Sequence, residues 1–121
     1  MKAILLVDHG SRREEANRAL ERVAEAVRDA RPGVIVEAAH MEIAQPDVLA
    51  GVARCVEAGA SEVVVFPYFL GPGRHTQRDM PELADAARRA HPNVAIRLAE
   101  PFGFDPRLVS LLLDRVDATD E

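Results

Sequence analysis

Ala3-Ile4-Leu5-Leu6-Val7-Asp8-His9-Gly10-Ser11-Arg12 is the stretch that decides the fold. Five consecutive apolar residues, broken off by a polar turn, fit a strand buried on both faces. The chain then changes period. Over Arg13–Ala30, residues Ala16, Leu20, Val23, Ala24 and Val27 recur at i, i+3 and i+4 spacing, the stripe of an amphipathic helix. Ser11 and Glu14 have capping-box spacing, so Ser11 is expected to cap that helix. Pro32-Gly33 ends it.

The same unit recurs downstream. Val34–Ala39 reads as a second strand, and a helix from about Asp47 to Ala58 follows, with Pro46 at its start and Gly59 at its end. Glu62–Phe66 is a third strand with Val63-Val64-Val65 as its β-branched centre. Pro67 to about Arg78 reads as a long irregular loop around Gly71-Pro72-Gly73, and Glu82–Ala90 as a helix whose start Pro81 obscures. Val94–Leu98 is a fourth strand, Pro106–Val116 a last helix capped by Asp105, and the acidic Asp117–Glu121 is expected to fray. Four strands, each followed by a helix, make a single α/β domain over residues 1–121: a three-layer sandwich with a central four-stranded parallel sheet, helices on both faces and right-handed crossovers.

Composition narrows the function. The 121 residues carry a formal net charge of −5, which disfavours a general nucleic-acid binder, and Phe66, Tyr68, Phe69, Phe102 and Phe104 form no base-stacking array. No apolar run reaches the roughly 20 residues needed to cross a bilayer, so no membrane partner is expected. Met1–Val7 resembles the start of a signal peptide, but it runs into Asp8-His9-Gly10 without a small-residue cleavage site and is read as the first strand. The single cysteine, Cys55, lies in a helical pattern, reads as a buried structural thiol and fits a reducing cytoplasm.

In an open parallel sheet, ligands bind outside the carboxyl ends of the strands. That edge carries Asp8, His9, Ser11, His40, Glu42, the Tyr68–His75 loop and Glu100-Pro101-Phe102-Gly103. His9 follows the first strand and His75 the third, so two imidazoles arrive at one edge, suited to metal ligation or proton transfer near neutral pH. His40 either points to the site or packs beside the sheet. Glu42 is either a ligand for an entering metal or a surface acid, and His91, at the opposite edge, reads as a helix-terminal charge. Arg12, Arg13, Arg74 and Arg78 concentrate positive charge in two acid-free stretches, residues 10–13 and 71–78, as a polyanionic ligand would require. The loop glycines, Gly73 among them, leave backbone N–H groups open to an anion. No Walker sequence and no G-x-G-x-x-G follows the first strand. Asp8-His9-Gly10 has a likeness to the Arg-His-Gly of histidine phosphatases, but Asp8 stands where the phosphate-holding arginine would be.

Taken together, Leu6–Arg12, Glu42 with Gln45-Pro46, the unusual run Val65–His75 leading to Asp79-Met80-Pro81, and Pro101-Phe102-Gly103 with Asp105-Pro106 and Arg115 make the chain resemble the small sirohydrochlorin chelatases of the cobaltochelatase type. The resemblance spans nearly the whole chain. It departs at Asp8, where family members often carry another small or polar residue, and no histidine-rich tail is present.

The resemblance implies a chelatase-like fold and ATP-independent insertion of a divalent metal into sirohydrochlorin, a polycarboxylate tetrapyrrole. Co²⁺ for corrinoid synthesis comes first, with Fe²⁺ or Ni²⁺ as alternatives. It also implies no permanently bound cofactor, and pairing as a homodimer in which each chain corresponds to half of the longer two-lobed enzymes. On this reading His9 and His75 are catalytic and, with Glu42, metal-binding. Ser11, Arg12, Tyr68, Phe69, Leu70, Gly73, Arg74 and Arg78 would contact the macrocycle and its carboxylates. A non-catalytic metal or tetrapyrrole carrier would use the same two histidines.

Overall fold

Strand β1 (Lys2–Asp8) turns Ala3, Leu5 and Val7 to one face of the sheet, where all three are fully buried, and Ile4 and Leu6 to the other. Around it, the computed structural model describes residues 1–71 and 73–120, with side chains for all of them except residues 74–76. The remaining elements are α1 (Glu14–Ala30), β2 (Ile35–His40), α2 (Val48–Glu57), β3 (Glu62–Pro67), α3 (Arg74–Ala90), β4 (Ala95–Leu98) and α4 (Pro106–Asp117), closed by a 3₁₀ turn at Ala118–Asp120. The strands are all parallel in the order β2-β1-β3-β4. Chain order therefore reverses between β1 and β3, and that switch point is where a ligand crevice opens beyond the strand ends.

The expected α/β architecture is observed, with element ends within a residue or two of the sequence reading except at α3. The stretch expected to stay irregular to about Arg78 becomes helical at Arg74, with the amide of Gln77 donating to the carbonyl of Gly73 at 3.0 Å. Pro81 lies inside this helix. A proline there removes one helix hydrogen bond, but Met80, Ala84 and Ala87 are buried at i, i+4 and i+7 and hold the helix on the sheet through it. Packing overrides the local breaker.

Ser11 does not cap α1. Arg13 occupies the N-cap position without a side-chain cap, and the Ser11 hydroxyl accepts from the amide of Arg13 at 3.0 Å. Asn17 competes successfully for Ser11's backbone: its Oδ1 accepts from the Ser11 amide at 2.9 Å and its Nδ2 donates to the Ser11 carbonyl at 2.8 Å. Asp47 and Asp105 do cap α2 and α4, accepting from the amides of Ala50 and Arg107 at 2.8 Å each.

The core is in two layers. Leu5, Val7, Val63 and Val65 pack beneath α2 and α3 with Val52, Cys55 and Met80. Gly51 lets α2 settle on the sheet, since a Cβ there would lie 2.8 Å from Leu5 Cδ1 and 2.9 Å from the Cβ of Ala39. Burial, with the charge of Glu37 nearby, pushes the Cys55 thiol up to about 12, in keeping with a structural residue. On the other face, Leu6, Val36 and Ala38 pack beneath Leu20 and Ala24 of α1. α4 contributes no buried residue. No helix among the described residues is long and apolar enough to cross a membrane.

Candidate active site

β1 and β2 are stitched together just past their ends, and the stitching presents His9 and Glu42. Asp8 and His40 are register partners, and His40 Nδ1 lies 2.5 Å from Asp8 Oδ1. The same carboxylate oxygen accepts from the amide of Gly10 at 3.0 Å. The amide of Met41 donates to the carbonyl of Asp8 at 2.9 Å and that of Glu42 to the carbonyl of His9 at 3.1 Å. Gly10 has φ +90°, and a Cβ there would fall 1.9 Å from the carbonyl oxygen of Glu42, so no other residue fits without moving the turn. His40 is buried and bonded to Asp8; of the two readings of this residue, it packs beside the sheet.

His9 is exposed, and its ring rests on Phe69, with centroids 4.3 Å apart and planes inclined by 30°. Phe69 is itself buried in the core beneath α3, so β3's exit supplies a fixed platform for an imidazole carried by β1. His9 and Glu42 line one cavity of about 620 Å³ together with Met41 and with Asp79, Glu82 and Leu83 of α3. The cavity thus combines one imidazole with three carboxylates, a set able to attract a divalent cation and to accept protons. Among the described residues, no three His, Cys, Asp or Glu side chains are gathered closely enough to hold a metal ion.

This arrangement occurs in a chain whose residues 3–119 match the CbiX family. The chain belongs to the CbiX family. Among CbiX relatives, the chloroplastic sirohydrochlorin ferrochelatase of Arabidopsis thaliana is 39% identical over 113 residues, which are 93% of this chain and 50% of that protein. The sirohydrochlorin cobaltochelatase of Methanopyrus kandleri is 32% identical over 136 residues, 96% of this chain and 95% of that one. The sirohydrochlorin chelatase SirB of Bacillus subtilis subspecies spizizenii, solved in complex with cobalt, superposes with a TM-score of 0.89 at 28% identity, covering 97% of this chain and 50% of that one. The chain therefore spans half the length of some CbiX relatives and nearly all of others.

The other residues singled out from sequence are dispersed. Ser11 and Arg12 line a separate shallow cavity with Asn17 and Ile43, across the β1–α1 turn from His9. Tyr68 does not line the His9 cavity; its ring meets Phe102 edge-on, with centroids 5.2 Å apart, along a groove on the α1 face. Leu70 is 72% exposed and Gly73 is exposed beside it. Arg78 reaches Asp79 at 3.4 Å on the surface of α3. Arg74 and His75 fall in the first turn of α3, and their side chains lie outside the described residues.

Asp79 and Glu82 are the cavity residues that pattern reading missed. Their i, i+3 spacing signals a shared helix face only once α3 is known to begin before Pro81. Ile43, a β-branched residue held at φ 73° next to Glu42 in the chain, lines the Ser11 cavity and carried no sequence signal at all.

Proposed function

We propose that this chain is a sirohydrochlorin chelatase, inserting Co²⁺ in the first place and Fe²⁺ or Ni²⁺ as alternatives, with the metal as substrate and no resident cofactor. The observation that carries the reading is the union of His9 with Glu42, Asp79 and Glu82 in one cavity at the β1/β3 switch point of a CbiX-family chain. Cobalt is favoured because the Methanopyrus cobaltochelatase matches this chain along 95% of its own length, whereas the Arabidopsis ferrochelatase matches over half of its length.

Metallation exchanges one M²⁺ for two pyrrole N–H protons, so a site must deliver a partly dehydrated cation and remove two protons. The carboxylates of Glu42, Asp79 and Glu82 draw the hydrated cation in, because hard oxygen ligands suit it. His9, fixed on Phe69, ligates the metal and accepts a proton. His75 takes the second such role. Positions 75, 79 and 82 recur at i, i+4 and i+7, the spacing of one helix face, and this pattern supports grouping His75 with the two cavity acids. Ser11, Arg12, Arg74 and Arg78 engage the ring carboxylates, with Tyr68, Phe69, Leu70 and Gly73 beside the macrocycle. The chain works as a homodimer in the reducing cytoplasm, supplying corrinoid synthesis.

The test is anaerobic metallation of metal-free sirohydrochlorin with Co²⁺, followed by visible absorption against a no-protein control. The expected result is multiple turnovers, reduced at least about 100-fold in His9→Ala and in His75→Ala, the scale of a lost general base. Binding of the tetrapyrrole without acceleration would make the protein a carrier instead.

A further inference from the structure

His9 and Glu42 reach the cavity from the exits of two different strands, and their spacing is set from the opposite face of the sheet. Leu6 and Asp8 on β1, like Val36, Ala38 and His40 on β2, alternate onto the α1 side. His9 and Met41 instead line the cavity beside α3, and neither Asp8 nor His40 does. The buried His40 ring and the Asp8 carboxylate pair across the two strands. Two features make this pair more than a cross-strand contact. While Asp8 Oδ1 is held by His40 Nδ1 at 2.5 Å, it also accepts from the amide of Gly10 at 3.0 Å. The Asp8 side chain thereby spans the backbone of His9 in an Asx turn and fixes the direction in which the imidazole leaves. His40 meanwhile holds the other segment at its base. Its own amide donates to the carbonyl of Pro46 at 2.9 Å, closing the loop that carries Glu42 against the end of β2.

We propose that Asp8 and His40 are positioning residues for metal capture: the pair locks the His9 turn to the Glu42 loop and so sets the separation at which imidazole and carboxylate meet one cation. The junction has little slack. The amides of Met41 and Glu42 bond to the carbonyls of Asp8 and His9. A Cβ on Gly10 would lie 1.9 Å from the carbonyl oxygen of Glu42 and 3.2 Å from the Cβ of His40. A displaced Asp8 carboxylate therefore shifts turn and loop together. His40 is 3% exposed, so water does not compete for its bond to Asp8 as it would at the surface. Without the pair, only main-chain bonds join the two segments, and the loss falls on holding the cation rather than on binding the tetrapyrrole. This inference rests on the chelatase reading above and deepens it.

Asp8→Asn and Asp8→Ala/His40→Phe test it against the wild type. Asparagine keeps an oxygen able to accept from both His40 and Gly10. The double change removes both side-chain partners, keeps a ring in the place of His40 and leaves no imidazole buried without a partner, so the chain should fold. If it does not, Asp8→Ala alone takes its place with the same expectations. In the metal-free chains, a nuclear Overhauser contact between the His9 and Phe69 rings is expected in the wild type and in Asp8→Asn, and its loss in the double variant. In cobalt insertion, the KM for Co²⁺ should rise about 10-fold in the double variant, the lower end of what groups supporting metal ligands contribute. The KM for sirohydrochlorin should stay as it is, and Asp8→Asn should stay close to the wild type in both. A structural role alone would lower kcat through fewer folded molecules and move neither KM. The proposal is overturned by an unchanged KM for Co²⁺ in the folded double variant, or by an equal loss in Asp8→Asn. A ring contact that is absent from the wild type or persists in the double variant overturns it as well. A wild-type chain without chelatase activity defeats the functional reading instead, and the ring contact then decides the positioning by itself.

Discussion

On one face of the sheet, Leu5, Val7, Val63 and Val65 are sealed beneath α2 and α3; on the other, α1 seals Leu6 and Val36, while Val64 and Phe66 stay partly open and α4 stands clear. Both faces come from the same strands by strict alternation, so local sequence treats them alike. The difference lies in how the chain returns. Helices α2 and α3 are held at both ends by strands of the sheet, whereas α4 follows the edge strand β4 and contributes no buried residue. The candidate site belongs to the closed side: His9 rests on Phe69, and Asp79 and Glu82 ride on α3. The chemistry sits where one chain finishes its own packing, and the apolar remainder is on the other face.

The contrast can be broken most sharply with two neighbours on β1. Leu5→Ala, on the closed face, is expected to lose about 2–5 kcal/mol by denaturant unfolding. Ile4→Ala should cost less than Leu5→Ala, about 1 kcal/mol or under, because its side chain borders an open groove. Equal losses would mean that the groove is closed within one chain. Gly51→Ala presses a methyl group onto Leu5 and Ala39 and should destabilise by about 1–3 kcal/mol through overpacking.

The two aspartate caps give a subtler comparison. Asp47→Ala, on packed α2, should cost about 1 kcal/mol of global stability. Asp105→Ala should leave the global midpoint unmoved, changing only the helicity of α4, which contributes no buried residue. Hydrogen bonding from Arg107 holds the Asp105 carboxyl down at about 2. A lowered folded-state value means that the cap's contribution is complete above the ordinary carboxylate range and is lost as pH falls toward 2. Acid titration of α4 helicity by circular dichroism should therefore show no change from neutral pH down to about 4. The smallest effect is kinetic silence at Cys55: with its thiol pushed up to about 12, it should resist alkylation at pH 8 until the protein unfolds. Rapid labelling of the native chain would show that the closed face opens.

Much of this was legible in the residues. Ala3–Val7 and Val63–Phe66 are continuous apolar runs because strands of a parallel sheet are buried on both sides. His9 and Glu42 were found because they directly follow strands, and strand ends in such a sheet share one edge. Asp79 and Glu82 were hidden because Pro81 and Gly71-Pro72-Gly73 suggest a loop, while the burial that holds α3 helical, at Met80, Ala84 and Ala87, comes from packing on strands distant in sequence.

The sequence by itself determined the period of each element, the parallel α/β class and the residue types gathered at one edge, since these depend on spacing along the chain. Only the tertiary structure decided that His40 serves Asp8 rather than the cavity, that Tyr68 lines the opposite groove, and that α4 has no seat. Those outcomes depend on which surfaces meet after β1, β3 and β4 have paired, and pairing between distant segments leaves no trace in local periodicity.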